Sequence, residues 1–330
     1  MKSWWRKAPA PPEPVQGASS AAVRPSAENV LKRLEWTVIK RLDGLLQGDY
    51  RTLLRGVGLD FADLREYQHH DDVRHIDWNV TARLTVPHVR EFTEDREMAA
   101  WFLVDLSPSV DFGSGECAKR GISAEFVAVL ARMLTRHGNR VGAMLYGAGV
   151  DTVIPTRGGR RHVLHVLDSI QKRPATPPQG PTKLRELVET GAAMIKRRST
   201  IFVISDFISE PGWERALALL AQRHEVVAVR VVDPLELHLP DLGLITMRDS
   251  ETGEQLLVDT HDKGFRTRFS RIAAQREAEL RQGFVKAGVD ALELATDGDL
   301  ADAIVRFVDM RKRRARLAAG GGMPVHLRAA

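Results

Sequence analysis

The chain has 330 residues, of which 43% are apolar and 28% are charged, and its formal net charge is +5. This length and composition are typical of a globular protein with one large core or two domains. The single cysteine, Cys117, excludes an intramolecular disulfide and favours a cytoplasmic location. No apolar run approaches the ~18 residues that a membrane helix needs, so we expect no membrane span.

The positive charge lies at the two ends of the sequence. Residues 1–26 carry +3 and residues 311–330 carry +6, so the 284 residues between them carry −4. Both ends lack periodic apolar positions and are predicted to be disordered basic tails. Charge runs are more often solvated segments than binding surfaces. Nucleic-acid binding through the tails is therefore not expected, although it stays open as an alternative function.

The predicted elements begin with a helix, because apolar residues from Val30 to Leu46 recur at helical spacing. A short strand is predicted near residues 86–92. Further strands are predicted at residues 101–104, 141–146, 152–155, 201–204, 226–232 and 291–294. Helices are predicted at residues 123–137, 161–170, 184–195, 213–222 and 265–286, and again at the end of the chain. A β-hairpin over residues 244–258 is predicted to turn at Glu251-Thr252-Gly253.

The alternation of strands and helices after residue 97 predicts an α/β fold, a doubly wound and mostly parallel sheet covered by helices on both faces. The hairpin is then an insertion in this fold. We divide the chain into a tail (residues 1–26), an N-terminal lobe (27–96), the α/β domain (97–310) and a second tail (311–330).

Polar residues follow two of the predicted buried strands, and a third group follows a Pro-rich loop. In open parallel sheets such positions line the functional crevice. They are Asp105, Ser107 and Ser109 after the strand at residues 101–104, Asp206 after the strand at residues 201–204, and Thr182 after the loop. Two carboxylates and three hydroxyls form an all-oxygen set that suits Mg²⁺ or Mn²⁺ better than Zn²⁺. Because hydroxyls are neutral, the bound metal would keep positive charge and could accept the carboxylate of a partner.

The pattern Asp105-x-Ser107-x-Ser109, with Thr182 and Asp206, resembles the metal-ion-dependent adhesion site (MIDAS) of von Willebrand factor A (vWA) domains. Upstream, Gly56-x-Gly58-x-Asp60-Phe61 and Asp72-x-Arg74-x-Ile76-Asp77-Trp78 are similar to the domain of unknown function 58 family. Members of that family are vWA-like proteins associated with MoxR-type AAA+ ATPases.

The resemblance implies a six-stranded vWA-type sheet and a family-specific N-terminal lobe. It also implies that the three hydroxyls bind the ion, while the two carboxylates act directly or through water. The implied function is that of a cytoplasmic, non-enzymatic adaptor or chaperone-like assembly factor. Its metal would bind an acidic residue of a MoxR-type AAA+ ATPase or of a client protein.

Each part of this site has another interpretation. Thr182 could cap the helix that follows it, and Asp206 could be a turn residue. A metal-dependent phosphoesterase could use Asp105 as its nucleophile. Such an enzyme needs an acid/base carboxylate two residues later, where this sequence has Ser107. Catalysis is therefore the second hypothesis.

Two further patterns could bind ligands. Histidines and aspartates cluster at residues 69–77, but their spacing fits no known pair of transition-metal ligands. The basic, Gly-rich turn at residues 157–161 precedes a helix and could hold a phosphate. It lacks the Walker pattern, and a plain turn is the favoured interpretation.

Overall fold

The computed structural model describes residues 26–46, 63–68, 73, 76, 78–91, 99–115, 117–177 and 180–318. Within these ranges, every helix is too short or too polar to cross a bilayer. Most of the upstream family motifs and all of the predicted N-terminal tail except Ser26 lie outside them.

Ten strands and ten α-helices make up the described chain. The strands are β1 (Asp63–Glu66), β2 (His88–Glu91), β3 (Ala99–Asp105), β4 (Arg140–Tyr146), β5 (Val150–Arg157), β6 (Thr200–Ser205), β7 (Glu225–Val232), β8 (Leu244–Arg248), β9 (Gln255–Asp259) and β10 (Asp290–Ala295). The helices are α1 (Ala27–Leu34), α2 (Lys40–Leu46), α3 (Trp78–Leu84), α4 (Lys119–Arg136), α5 (Arg160–Lys172), α6 (Leu184–Met194), α7 (Trp213–Ala221), α8 (Pro234–Leu237), α9 (Lys263–Ala287) and α10 (Leu300–Ala318).

The central sheet has six strands in the order β5-β4-β3-β6-β7-β10. All neighbours are parallel except β4 and β5, which are antiparallel. From β3 the chain adds β4 and β5 on one side and then β6, β7 and β10 on the other, which is the doubly wound order. The predicted α/β fold class and the prediction of six strands in the central sheet are confirmed.

Helices cover both faces of this sheet because its strands are apolar on both sides. Phe102 and Val104 of β3 point into a core that also contains side chains of α1, α4, α5 and α10. Leu103, between them in sequence, points into the opposite core with side chains of α6, α7 and α9. The central strands are therefore buried between two helical layers, and their ends carry the polar groups.

The N-terminal helices pack into the first of these cores. The α1 and α2 helices are joined by a π-helical turn, Glu35–Ile39, and the Ser26 hydroxyl caps α1 by accepting from the backbone N–H of Asn29 at 3.3 Å. Leu31 and Leu42 are fully buried there. The β1 and β2 strands form a separate antiparallel pair.

The last helix corrects a predicted boundary. The charge run at residue 311 suggests a disordered tail, but α10 continues to Ala318. Arg311 is buried, and its guanidinium pairs with Glu225 and with Asp290, the latter at 2.9 Å. Arg314 also pairs with Asp290. These arginines belong to the fold because β7 and β10 supply carboxylates beside them, which the sequence pattern alone does not show.

Candidate metal centre

The predicted ligands converge at the point where the strand order reverses. The β3 and β6 strands are parallel neighbours, with Val104 opposite Ile204. Asp105 therefore ends β3 beside Ser205 at the end of β6, and Asp206 follows directly. Crevices of doubly wound sheets form at this reversal, because the connections leave to opposite faces.

Asp105 is a fully buried carboxylate held by hydrogen bonds from both sides. Its Oδ1 accepts from the backbone N–H of Ser107 at 2.9 Å, and its Oδ2 accepts from the Ser205 hydroxyl at 2.7 Å. Burial, and next the nearby charge of Asp206, raise the pKa of Asp105 to about 6. Asp105 has no ion-pair partner among the described residues, so its negative charge is poorly compensated.

Ser107 and Ser109 lie on the turn that follows β3. Pro108–Asp111 forms a single 3₁₀ turn, which brings the two hydroxyl oxygens to 3.2 Å from each other. Both residues are buried. The structure therefore places the first three predicted ligands together, as their alternate spacing indicates.

Asp206 is held in place by a sharp turn after β6. Its Oδ1 accepts from the backbone N–H of Ile208 at 3.0 Å. Phe207 has a φ of +58°, a conformation that costs a non-glycine residue about 1 kcal/mol or more. Its ring packs against Trp213 and Phe284, with centroids 5.1 and 4.8 Å away, which anchors the strained residue. Asp206 is thus both a turn residue and a member of the site.

Lys119, at the first position of α4, is a charged residue beside the site that the sequence does not predict there. Its side chain is fully buried, and its Nζ donates to Asp206 Oδ2 at 2.7 Å and to Glu236 Oε1 at 2.6 Å. Burial alone would lower the pKa of Lys119, but the two carboxylates raise it. Lys119 therefore compensates Asp206, while Asp105 has no cation beside it in the part of the chain that the structure describes.

Thr182 reaches the site from the loop before α6. Its hydroxyl does not cap that helix, whose N-cap residue is Lys183 without a side-chain capping bond. Instead it donates to the carboxylate of Glu251, at 2.9 Å to Oε1 and 3.0 Å to Oε2. Glu251 lies in the turn of the β8–β9 hairpin, which the sequence places correctly without indicating that it approaches the sheet.

The chemistry of this donor set fits a small divalent cation. Its atoms are all oxygens, and its buried carboxylates outnumber the one ammonium beside them. Hard cations such as Mg²⁺ prefer such oxygens. In the part of the chain that the structure describes, His, Cys, Asp and Glu side chains form no metal-binding group of three on their own. A metal here would depend on the hydroxyls of Ser107, Ser109 and Thr182.

Sequence comparison gives the family of the chain. The family described as "Protein of unknown function DUF58" matches residues 63–279. The chain belongs to this family. An uncharacterized protein of Mycobacterium tuberculosis, Rv1480, is 38% identical over 313 residues, which cover 94% of this chain and 97% of the relative. An uncharacterized protein of Mycobacterium avium, MAV169, is 36% identical over 168 residues, half of this chain and 96% of the relative.

Solved structures similar to this DUF58 protein include BatB from Bacteroides thetaiotaomicron, with a TM-score of 0.43 and 13% identity over 66% of this chain and 99% of BatB. The VWA domain of SpRpn10 has a TM-score of 0.38 and 11% identity over 63% of this chain and 94% of that domain. Because both TM-scores are below 0.5, the fold class of the chain is established by its strand order and not by these similarities.

The other two predicted ligand patterns differ in their outcome. The cluster at residues 69–77 lies mostly outside the described residues, so the expectation that it is not a transition-metal site is untested. The basic turn before α5 includes Arg160, which faces the N-terminal helices. A guanidinium nitrogen of Arg160 lies 3.6 Å from the carboxylate of Glu28, and another lies 3.8 Å from that of Glu35. These contacts support its interpretation as a structural turn.

Proposed function

We propose that this DUF58 protein is a metal-dependent protein-binding adaptor. Its Mg²⁺ or Mn²⁺ site is formed by the hydroxyls of Ser107, Ser109 and Thr182 and the carboxylates of Asp105 and Asp206. The ion binds an acidic side chain of a partner, and the partner is a MoxR-type AAA+ ATPase or its client protein in the cytoplasm.

The proposal rests on one arrangement: the buried carboxylates of Asp105 and Asp206 and the hydroxyls of Ser107 and Ser109 lie at the reversal of the strand order, and Glu251 links the Thr182 hydroxyl to Ser109. Among the described residues, Asp105 has no cationic partner. A divalent ion would supply the missing positive charge. Because three of its ligands are neutral, the ion would keep part of that charge for an incoming carboxylate. This chemistry favours an acidic partner over a basic or apolar one.

The surroundings of Asp105 support binding over hydrolysis. The Asp105 side chain is fully buried, whereas a nucleophile needs an oxygen that a substrate as large as a phosphate ester can reach. A single metal ion needs much less room. The residue two positions later is Ser107, which cannot supply the acid/base step of a phosphoesterase.

A polar cleft beside the hydroxyls offers room for the residues that flank the partner's acid. Its volume is about 210 Å³, and its walls include Tyr146, Lys183 and Glu186. The Tyr146 hydroxyl accepts from the backbone N–H of Lys183 at 3.1 Å, which fixes the loop that carries Thr182. The cleft would therefore present charged side chains of both signs next to the metal.

The proposal is tested by affinity capture from a lysate of the cells that encode the chain, with Mg²⁺ or with EDTA. We expect an AAA+ ATPase to be captured by the wild-type protein in Mg²⁺ and lost in EDTA. Asp105→Asn should lose it in both conditions, because the ion is no longer held.

The control is Asp309→Asn, which removes one exposed acid from α10 and should behave as the wild type does. Capture of the same ATPase by Asp105→Asn, or in EDTA, would contradict the proposal. Circular dichroism on each variant establishes that the fold is retained.

A further inference from the structure

The turn of the β8–β9 hairpin places a carboxylate against the predicted metal ligands. Both oxygens of Glu251 accept from the Thr182 hydroxyl. Ser109 also interacts with this carboxylate, through its side chain and its backbone. Two of the three hydroxyls proposed to bind the ion therefore face an acidic side chain of the same chain.

The backbone of the turn delivers Glu251 independently of its side-chain contacts. Asp249 Oδ1 accepts from the backbone N–H groups of Glu251 at 2.8 Å and Thr252 at 3.1 Å. Gly253 has a φ of +78°, and its N–H donates to Asp249 O at 2.8 Å. The Glu251 carbonyl accepts from the N–H of Gly180 at 3.1 Å, which ties the turn to the loop before α6.

Glu251 also has the electrostatic setting of a carboxylate that would benefit from a metal. It has no ion-pair partner among the described residues. Burial and the charge of Asp206 raise the pKa of Glu251, and the hydrogen bonds from Thr182 and Ser109 offset only part of this rise. Hydroxyl ligands of a cation are good hydrogen-bond donors to a nearby carboxylate. An acidic side chain of the chain itself therefore lies beside two of the hydroxyls proposed to bind the ion.

The strands of the hairpin that carries Glu251 contribute few side chains to the core of the protein. No residue of β8 is buried, and Val258 is the one buried residue of β9. Leu244, Leu256 and Leu257 are more than 60% exposed. Segments with few buried apolar contacts open at low free-energy cost. The turn can therefore withdraw while the central sheet stays intact.

We infer that Glu251 is a built-in occupant of the site, which holds the position that the acidic side chain of a partner would take. Partner binding then requires the hairpin turn to withdraw. This inference rests on the proposed function, because it assumes that the site binds a cation and that the cation accepts carboxylates.

Mn²⁺ serves as the probe, because the relaxation of water protons reports how many exchangeable waters the bound ion keeps. In Glu251→Gln we expect a higher relaxivity than in the wild type, because the internal carboxylate no longer excludes water. Acetate, a minimal external carboxylate, should lower the relaxivity of Glu251→Gln at a concentration about tenfold below that needed for the wild type. Glu254→Gln is the matched control, an exposed acid of the same turn, and should behave as the wild type does.

The outcomes separate this inference from the proposed function. If Mn²⁺ binds the wild type and Asp105→Asn abolishes binding, yet Glu251→Gln and Glu254→Gln give the same relaxivity and the same response to acetate, Glu251 is not an occupant and this inference alone fails. Complete loss of Mn²⁺ in Glu251→Gln would also overturn it, since Glu251 would then be an essential ligand that a partner cannot replace. No Mn²⁺ binding by the wild type would remove both proposals.

Discussion

Asp105 and Asp206 are neighbouring buried carboxylates whose charges are balanced in different ways. Asp206 has the ammonium of Lys119 at 2.7 Å, while Asp105 has hydrogen bonds from Ser107 and Ser205 but no cation among the described residues. Removing a proton from Asp105 in the absence of metal is costly, which is why its pKa rises to about 6. A divalent ion would reverse this, because it stabilises the ionised form.

Lys119 allows a test of how the site is held together. Replacing it with Met should lower the free energy of unfolding by about 3 kcal/mol, because Asp206 would stay buried without its partner. The Lys119→Met, Asp206→Asn double variant should recover more than 1 kcal/mol of that loss. Urea unfolding of metal-stripped protein measures both values.

Lys183→Met is the matched control for this cycle, since Lys183 is exposed beside the same site. Its unfolding free energy should change by less than about 0.5 kcal/mol. Equal losses for the Lys119 and Lys183 variants would show that the buried ion pair does not stabilise the fold.

At the scale of elements, α10 is joined to the edge of the sheet by charge as well as by apolar packing. Ile304 and Val308 are fully buried in the core. One turn beyond them, Arg311 bridges Glu225 at the start of β7 and Asp290 at the start of β10. This explains why the helix continues past the point where the apolar pattern weakens.

Arg311→Met should therefore lower the free energy of unfolding by about 2 kcal/mol, because Glu225 loses its guanidinium and Asp290 keeps only that of Arg314. Arg313→Met, on the exposed side of the same helix, should change it by less than about 0.5 kcal/mol. Chemical denaturation of both variants gives the comparison. If the two arginines contribute equally, the ion pairs of Arg311 do not anchor α10.

At the scale of the whole molecule, the sheet is predictable from the sequence because each central strand is a short apolar run bounded by polar or turn residues. The site is predictable in part for the same reason: Asp105 and Asp206 each follow such a run, and parallel strands bring their ends together. The hairpin is predictable from its turn residues.

Lys119 and Glu251 are not predictable in this way. Lys119 lies at the start of α4, four residues before the helix that the apolar pattern predicts. Its burial depends on the carboxylates of Asp206, which follows β6, and of Glu236 in α8. Glu251 lies in a polar turn whose position over the sheet depends on tertiary contacts with Gly180 and Thr182. Local patterns carry no information on such contacts between distant segments.

The melting temperature of metal-stripped protein is the sharpest test of whether the five predicted ligands bind a divalent cation. Saturating Mg²⁺ should raise the melting temperature of the wild type and of Asp309→Asn by roughly 5 °C, the stabilisation expected at about a hundred times the dissociation constant. Asp105→Asn should show no rise, because the site has lost a carboxylate. An equal rise in Asp105→Asn, or no rise in the wild type with either Mg²⁺ or Mn²⁺, would show that these residues do not form a divalent-cation site.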